Sequence, residues 1–276
     1  MTFVTADVGI NANGSLELAK KLIDAAKWSG CDAVKFQKRT IEVVYKGQLD
    51  TPRESPWGKT LGEQKYGLEF EREDYDKIDR YCAQIGIKWY ASAFDLLSLD
   101  FLKRYDLPYN KIASAMTVND EFVQAVGKER KPTFMSTAMC MRDDILHARD
   151  IFEAEQGDSS DLTLMHCVGT YPTDEKDINL KAMLSLKSFG CPVGYSGHEA
   201  SHSPTVMAVV LGAVAVERHI TLDKSMYGSD QAASLEPVQF WHLVNEIRKV
   251  PIVLGDGIKR VTEGEKAVAR KLRYWL

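Results

Sequence analysis

Gly194-Tyr195-Ser196-Gly197-His198-Glu199 and Glu217-Arg218-His219-Ile220-Thr221-Leu222-Asp223 each set a histidine just after a short apolar run. The two histidines are 21 positions apart, and the stretch between them, Val206 to Val216 included, is apolar enough for one helix returning to a neighbouring parallel strand. That β-α-β reading puts two imidazoles side by side at one rim of a sheet. Two neutral imidazoles converging with carboxylates and water are a common way to hold a divalent cation such as Mn²⁺, Zn²⁺ or Fe²⁺. The tracts therefore predict a parallel sheet with a metal site at the C-terminal ends of its strands.

Outward from these tracts the pattern repeats. Short apolar runs at Phe3–Val8, Ala33–Phe36, Lys88–Ala91, Lys111–Ala113, Thr133–Ser136, Leu162–Cys167, Pro192–Tyr195 and Ala213–Arg218 alternate with longer helical stretches. Eight such units predict an α/β fold, a closed (β/α)₈ TIM barrel. Leu16, Ala19, Leu22, Ile23 and Ala26 recur at helical spacing after Ser15, and Phe240, Leu243, Val244 and Ile247 give the last long helix its apolar stripe. Ser203 before Pro204 reads as an N-cap with proline at the first helical position. One long irregular stretch, 39–71, follows the second strand and carries Pro52, Pro56, Trp57 and Gly58; loops of that length are commonly lids or binding loops. With 276 residues and 45% hydrophobic content, one domain spanning residues 1–276 is expected.

Composition narrows the partners. A formal charge of −4 gives no basic excess for nucleic acid or anionic lipid, so a small-molecule substrate is expected. Cys31, Cys82, Cys140, Cys167 and Cys191 are scattered singly, an odd count without metal-type pairing, which argues against a disulfide framework and fits a reducing cytoplasm. The longest apolar run, Val206 to Val216, is well short of a membrane span, and the first residues lack a signal-peptide pattern.

In a (β/α)₈ barrel the chemistry lies at the C-terminal ends of the strands, and polar residues follow nearly every apolar run here: Asp7 and Asn11, Lys35 and Gln37, Ser92, Lys111 and Ser114, Ser136, His166, Ser196 and His198, Glu217 and His219. Lys35 and Lys111, with hydroxyls from Ser92, Ser114, Ser136 and Ser196, suit an anion bearing both phosphate and carboxylate, as phosphoenolpyruvate does. A second reading makes either lysine a Schiff-base former, as in aldolases of the same fold. Glu217 and His219 should face one side of their strand and Arg218 the other, which makes Glu217 a candidate near the site and Arg218 a structural ion-pair partner.

Together with Ala33-Val34-Lys35-Phe36-Gln37, Lys111-Ile112-Ala113-Ser114, Ser136-Thr137-Ala138-Met139, His166-Cys167 and Tyr171-Pro172-Thr173, the two histidine tracts resemble the sialic acid synthase family, from about Ala6 to Arg270. The resemblance implies a metal-dependent condensation of phosphoenolpyruvate with N-acetylmannosamine and water, giving N-acetylneuraminate and phosphate. It places phosphoenolpyruvate among Lys35, Ser92, Lys111, Ser114, Ser136 and Ser196, and Mn²⁺ or Mg²⁺ on His198 and His219. Lys35, Lys111 and His219 take the catalytic roles; Asp7, Gln37, Tyr171 and Asp230 face the acceptor sugar.

Three departures from the family pattern bear on mechanism. Asp7 stands where the family usually has glutamate, Met116 stands where known members carry an acidic residue, and the barrel is expected to act without the antifreeze-like domain that lends an arginine to a partner's site in many members. A homo-oligomer, a dimer, is expected from the family. Other acceptors stay open: the 6-phosphate, a mannose derivative, or a legionaminic or pseudaminic precursor. So does a non-catalytic barrel that binds sugar acids. Lys38, Arg39, Arg53 and Lys59 are the cations that a sugar phosphate could use.

Overall fold

The computed structural model describes residues 1–157 and 161–275. Eight parallel strands close into a barrel: β1 Phe3–Asp7, β2 Ala33–Lys38, β3 Lys88–Ala93, β4 Asn110–Ile112, β5 Thr133–Ser136, β6 Leu162–Cys167, β7 Val193–Gly197 and β8 Ala215–His219. Each pairs with its neighbours in chain order, and β8 closes on β1. All eight predicted runs are strands, with ends moved by a residue or two. The helices returning between them are α1 Leu16–Ser29, α2 Arg72–Ile85, α3 Leu96–Leu102, α4 Asp120–Gly127, α5 Arg142–Gln156, α6 Ala182–Leu186 and α7 Ser203–Val210; α8 Pro237–Leu254 follows β8 and packs on α1 and α7.

Local chemistry accounts for these elements. Ser15 caps α1 by accepting from the Leu18 amide, Gly30 ends it at φ +85°, and Ala19, Leu22, Ile23 and Ala26 form the buried stripe between. Leu22 and Ile23 are buried completely enough to contribute roughly 1.5–3 kcal/mol each. Phe240, Leu243, Val244 and Ile247 do the same for α8. At α7 the expected cap is displaced by one residue: Ser203 is already helical, His202 stands at the cap, and no side chain closes the first turn.

Strand alternation divides the barrel in two. Outward residues such as Val4, Val34, Trp89 and Val216 join the main core under the helices, whereas Ala33, Tyr90, Phe134, Met165 and Ala215 pack inside, toward the N-terminal end of the strands. Above that plug, the inward positions are Asp7, Lys35, Ser92, Lys111, Ser136, Cys167, Ser196 and Glu217, placed side by side by the registers Asp7↔Lys35, Ser92↔Lys111, Cys167↔Ser196 and Glu217↔Ser196. The barrel is thus apolar at one end and ionic at the other.

The stretch 39–71 is more ordered than its proline content suggested. It holds a short helix Ile41–Val44, an antiparallel hairpin of Pro52–Ser55 with Gly58–Thr60, and a helix Leu61–Leu68 whose start is a capping box of Thr60 and Glu63. Trp57 packs edge-on against Tyr227 at 5.6 Å, and Gln64 Nε2 donates to the Tyr227 hydroxyl at 2.6 Å, so the excursion is latched to the loop after β8. Among the described residues, no helix is long and apolar enough to cross a membrane.

Candidate active site

A cavity of about 150 Å³ opens at the C-terminal ends of the strands, where the sequence placed it. Its lining brings together Asp7, Lys35, Gln37, Ser92, Lys111, Ser114, Ser136, Tyr171, Ser196, His198, Glu217 and His219. Asp230 lies apart. It lines an adjoining cavity of about 250 Å³, with Arg39, Lys65 and Glu69, that shares Gln37, Phe94 and Tyr171 with the first. Of the other strand-end residues, Asn11 instead ties loops together, donating to Ile220 O and Ser234 Oγ, and His166 turns away to the carbonyl of Ile178 at 2.7 Å.

Both lysines are buried, 3% exposed each, and both are paired. Lys35 Nζ lies 2.8 Å from Asp7 Oδ2 and 3.4 Å from Glu217 Oε1, and it donates to Ser92 Oγ at 3.3 Å. Lys111 Nζ lies 3.4 Å from Glu217 Oε2 and donates to Ser136 Oγ at 2.5 Å. Glu217 therefore bridges the two ammonium groups, and Ser196 donates to its Oε1 at 3.2 Å. Burial works against the Lys35 charge, but Asp7 and Glu217 outweigh it and lift its pKa above the ordinary lysine value. For Lys111 burial prevails over Glu217, and the pKa falls. Burial alone would raise the pKa of Glu217; Lys111 and Lys35 instead hold it well below the usual carboxylate range. The site is a chain of alternating charges.

The histidines stand above this chain, ring centroids 5.6 Å apart. His198 Nδ1 is 2.7 Å from the Val168 carbonyl, which can only accept, so Nδ1 carries the proton and the lone pair is on Nε2. Nε2 in turn accepts from the Tyr171 hydroxyl at 2.9 Å. Burial, with His219 alongside, pushes the His198 pKa down to about 3, so the ring is neutral. His219 places Nε2 3.4 Å from Asp7 Oδ2, and its Nδ1 is buried without a hydrogen bond. A neutral ring with its tautomer fixed by a carbonyl, beside a second ring with an unused nitrogen, fits a divalent metal once the Tyr171 hydroxyl is moved off Nε2. Among the described residues no group of three or more histidine, cysteine or carboxylate side chains is placed to hold a metal ion by itself.

The Met116 side chain is not in the cavity. It sits on the short 3₁₀ turn Ser114–Met116 and packs against the core, leaving Asp7 and Glu217 as the carboxylates lining the cavity. The acceptor-side cations differ from those expected. Lys38 is committed to Glu69 at 2.9 Å, and Lys59 is exposed outside both cavities. Lys65 was missed, although Thr60-Leu61-Gly62-Glu63 is the capping-box pattern that starts its helix. Burial, helped by Arg39 and Arg53, lowers its pKa. The Arg39 guanidinium carbon lies over the Phe94 ring, 3.9 Å from its centroid, and Arg39 donates to Gln37 Oε1 at 2.6 Å, which links the second cavity to the first.

A barrel with paired lysines, strand-end serines and two imidazoles at its C-terminal face is built for a small anionic substrate, and the comparisons say which class of barrel it is. The NeuB family model matches residues 22–259, and the chain belongs to that family as a synthase of the sialic-acid type. Human N-acetylneuraminate-9-phosphate synthase is 35% identical over 275 residues, which cover 98% of this chain and 76% of that one. N,N'-diacetyllegionaminic acid synthase of Legionella pneumophila is 36% identical over 278 residues, covering 98% and 78% respectively. The structure of N-acetylneuraminic acid synthetase from Leptospira borgpetersenii superposes with a TM-score of 0.85 at 28% identity, over 99% of this chain and 92% of that one.

Proposed function

We propose that the protein condenses phosphoenolpyruvate with the open-chain aldehyde of N-acetylmannosamine. The observation that carries this reading is the grouping of Lys35 and Lys111 with four serine hydroxyls directly below His198 and His219. The lysines and Ser92, Ser114, Ser136 and Ser196 bind the phosphate and carboxylate and so fix which face of the enol meets the aldehyde. Carbon 3 forms the new bond to the aldehyde carbon, water adds at carbon 2, and the carbon 2–oxygen bond to phosphate breaks. The products are a nine-carbon 2-keto acid and inorganic phosphate. Mn²⁺ or Mg²⁺ on His198 and His219 would supply a Lewis acid for the aldehyde oxygen. Asp7, Gln37, Tyr171 and Asp230 orient the sugar hydroxyls and the N-acyl group.

A second acceptor is favoured by one observation. Arg39 and Lys65 converge on the adjoining cavity, with Arg53 close enough to act on Lys65, an arrangement suited to a 6-phosphate at the far end of the sugar. The human relative is named for a 9-phosphate product, the Legionella relative for a diacetylated one. Phosphate release from phosphoenolpyruvate, measured against N-acetylmannosamine, its 6-phosphate and 2,4-diacetamido sugars, tests both readings. No release with any of them overturns the condensation. A preference for the 6-phosphate that Lys65→Ala removes and Lys59→Ala does not would establish the second acceptor.

A further inference from the structure

Arg218 points away from its neighbours Glu217 and His219, outward from the barrel, where its side chain and that of Glu199 are both 0% exposed. Nη1 donates to Glu199 Oε1 at 2.8 Å, to Ser201 O at 2.8 Å and to Thr205 Oγ1 at 2.9 Å, while Nη2 donates to Glu199 O. The second Glu199 oxygen accepts from the Tyr195 hydroxyl at 2.8 Å. These arginine contacts run from β8 to the segment leaving β7. That segment is beyond the ladder: the last paired residues of the two strands are Arg218 and Gly197. His219 is held from its other side, opposite Asp7 on β1; His198 is held from its other side by Thr173 N–H donating to its carbonyl at 3.0 Å, and on the β8 side it stands one residue past the end of the pairing.

We propose that Arg218 and Glu199 are positioning residues that set the spacing of the His198 and His219 imidazoles. An ion pair buried this completely gains little stability over an apolar pair of the same volume, so fastening helix α7 to the sheet does not by itself account for it. Its donors reach the backbone of Glu199, next to His198, and of Ser201, and Arg218 is itself the residue next to His219. The fork of a guanidinium fixes direction as well as distance, which a lysine in its place would not do. Loosening it would let the segment after β7 drift relative to β8 and spread the two rings. The inference rests on the metal reading above, with the pair acting through the histidines rather than on substrate.

The test uses the whole chain and Mn²⁺ alone, with free Mn²⁺ followed by its electron paramagnetic resonance signal. Glu199→Gln combined with Arg218→Met keeps the site neutral and nearly filled. It should weaken Mn²⁺ binding about tenfold or more, the usual scale for residues that orient metal ligands, while the metal-free affinity for phosphoenolpyruvate stays near wild type. Arg218→Lys, which keeps the charge pair, should weaken Mn²⁺ binding several-fold and serves if the double variant does not fold. A folded variant that binds Mn²⁺ within twofold of wild type overturns the positioning role. Wild-type Mn²⁺ binding that His198→Ala leaves unchanged overturns the metal reading and this inference together.

Discussion

Lys35 and Lys111 carry their charges into a part of the barrel where a solitary ammonium would be costly, and Asp7 and Glu217 are what make this tolerable. Replacing either lysine with alanine should weaken phosphoenolpyruvate binding by about 1.5–3 kcal/mol, the range for hydrogen bonds to charged groups. Calorimetric titration would measure it, and borohydride in the presence of pyruvate or the 2-keto acid product, either of which has the free carbonyl an imine needs, should trap no adduct. The lowered pKa of Lys111 is the direction an imine-forming lysine needs, so a reduced lysine adduct seen by mass spectrometry would reinstate the aldolase reading. His166 gives a pH dependence away from the site. Burial lowers its pKa despite the hydrogen bond to Ile178, so its contribution to stability is present above the unfolded histidine value of about 6.5 and is lost as pH falls through the folded value. Denaturant melts at pH 7.5 and pH 5 should show a larger acid-side loss for wild type than for His166→Asn; equal losses would refute it.

Between residues and the whole molecule, the decisive element is the 39–71 excursion, and its fit depends on two glycines. A Cβ on Gly67 would lie 2.1 Å from the Trp57 ring, and one on Gly14, at φ +66°, 2.0 Å from the Gly67 carbonyl. Gly67→Ala should therefore push Trp57 off Tyr227 and open the wall that carries Lys65. The expected result is a several-fold higher KM for the sugar with an unchanged KM for phosphoenolpyruvate, read from steady-state kinetics. A proportionate rise in both would show that the excursion supports the barrel instead. The strands and the inward lysines, serines and histidines were legible because alternation on a strand has one inward answer, and closure of the sheet brings every strand end to one rim. Lys65 was not legible from its surroundings of Pro52, Pro56 and Gly58, because turn residues mark where a chain bends without saying which distant loop it meets. Tyr227, 170 positions after Trp57, supplies that contact. The bridging position of Glu217 was half visible: the strand gave its side, while its distance to Lys35 comes from the register of β1, β2 and β8 and its distance to Lys111, on β4, from closure of the barrel.

For the molecule as a whole, stability resides in the barrel and its packed helices. The helix Glu263–Leu272 buries no residue. Removing residues 259–275 should shift the melting temperature by less than about 2 °C, since roughly 1 kcal/mol corresponds to about 2–4 °C at this size. A larger drop in calorimetry would mean that the segment has a partner in solution, such as a second copy of the chain. The alternating charges at the barrel's mouth have a kinetic consequence. Lys35 and Lys111 have counterions of their own, so on the proposed reaction an arriving anion would trade places with Asp7 and Glu217, and a departing phosphate would be replaced by the same two groups. The pocket is then a miniature ion exchanger, with resident carboxylates as its mobile counter-charge. Inorganic phosphate should compete well with phosphoenolpyruvate and chloride poorly, an order that a salt series at fixed phosphoenolpyruvate would reveal. In such a site the protein's own anions would reclaim the lysines each time product leaves.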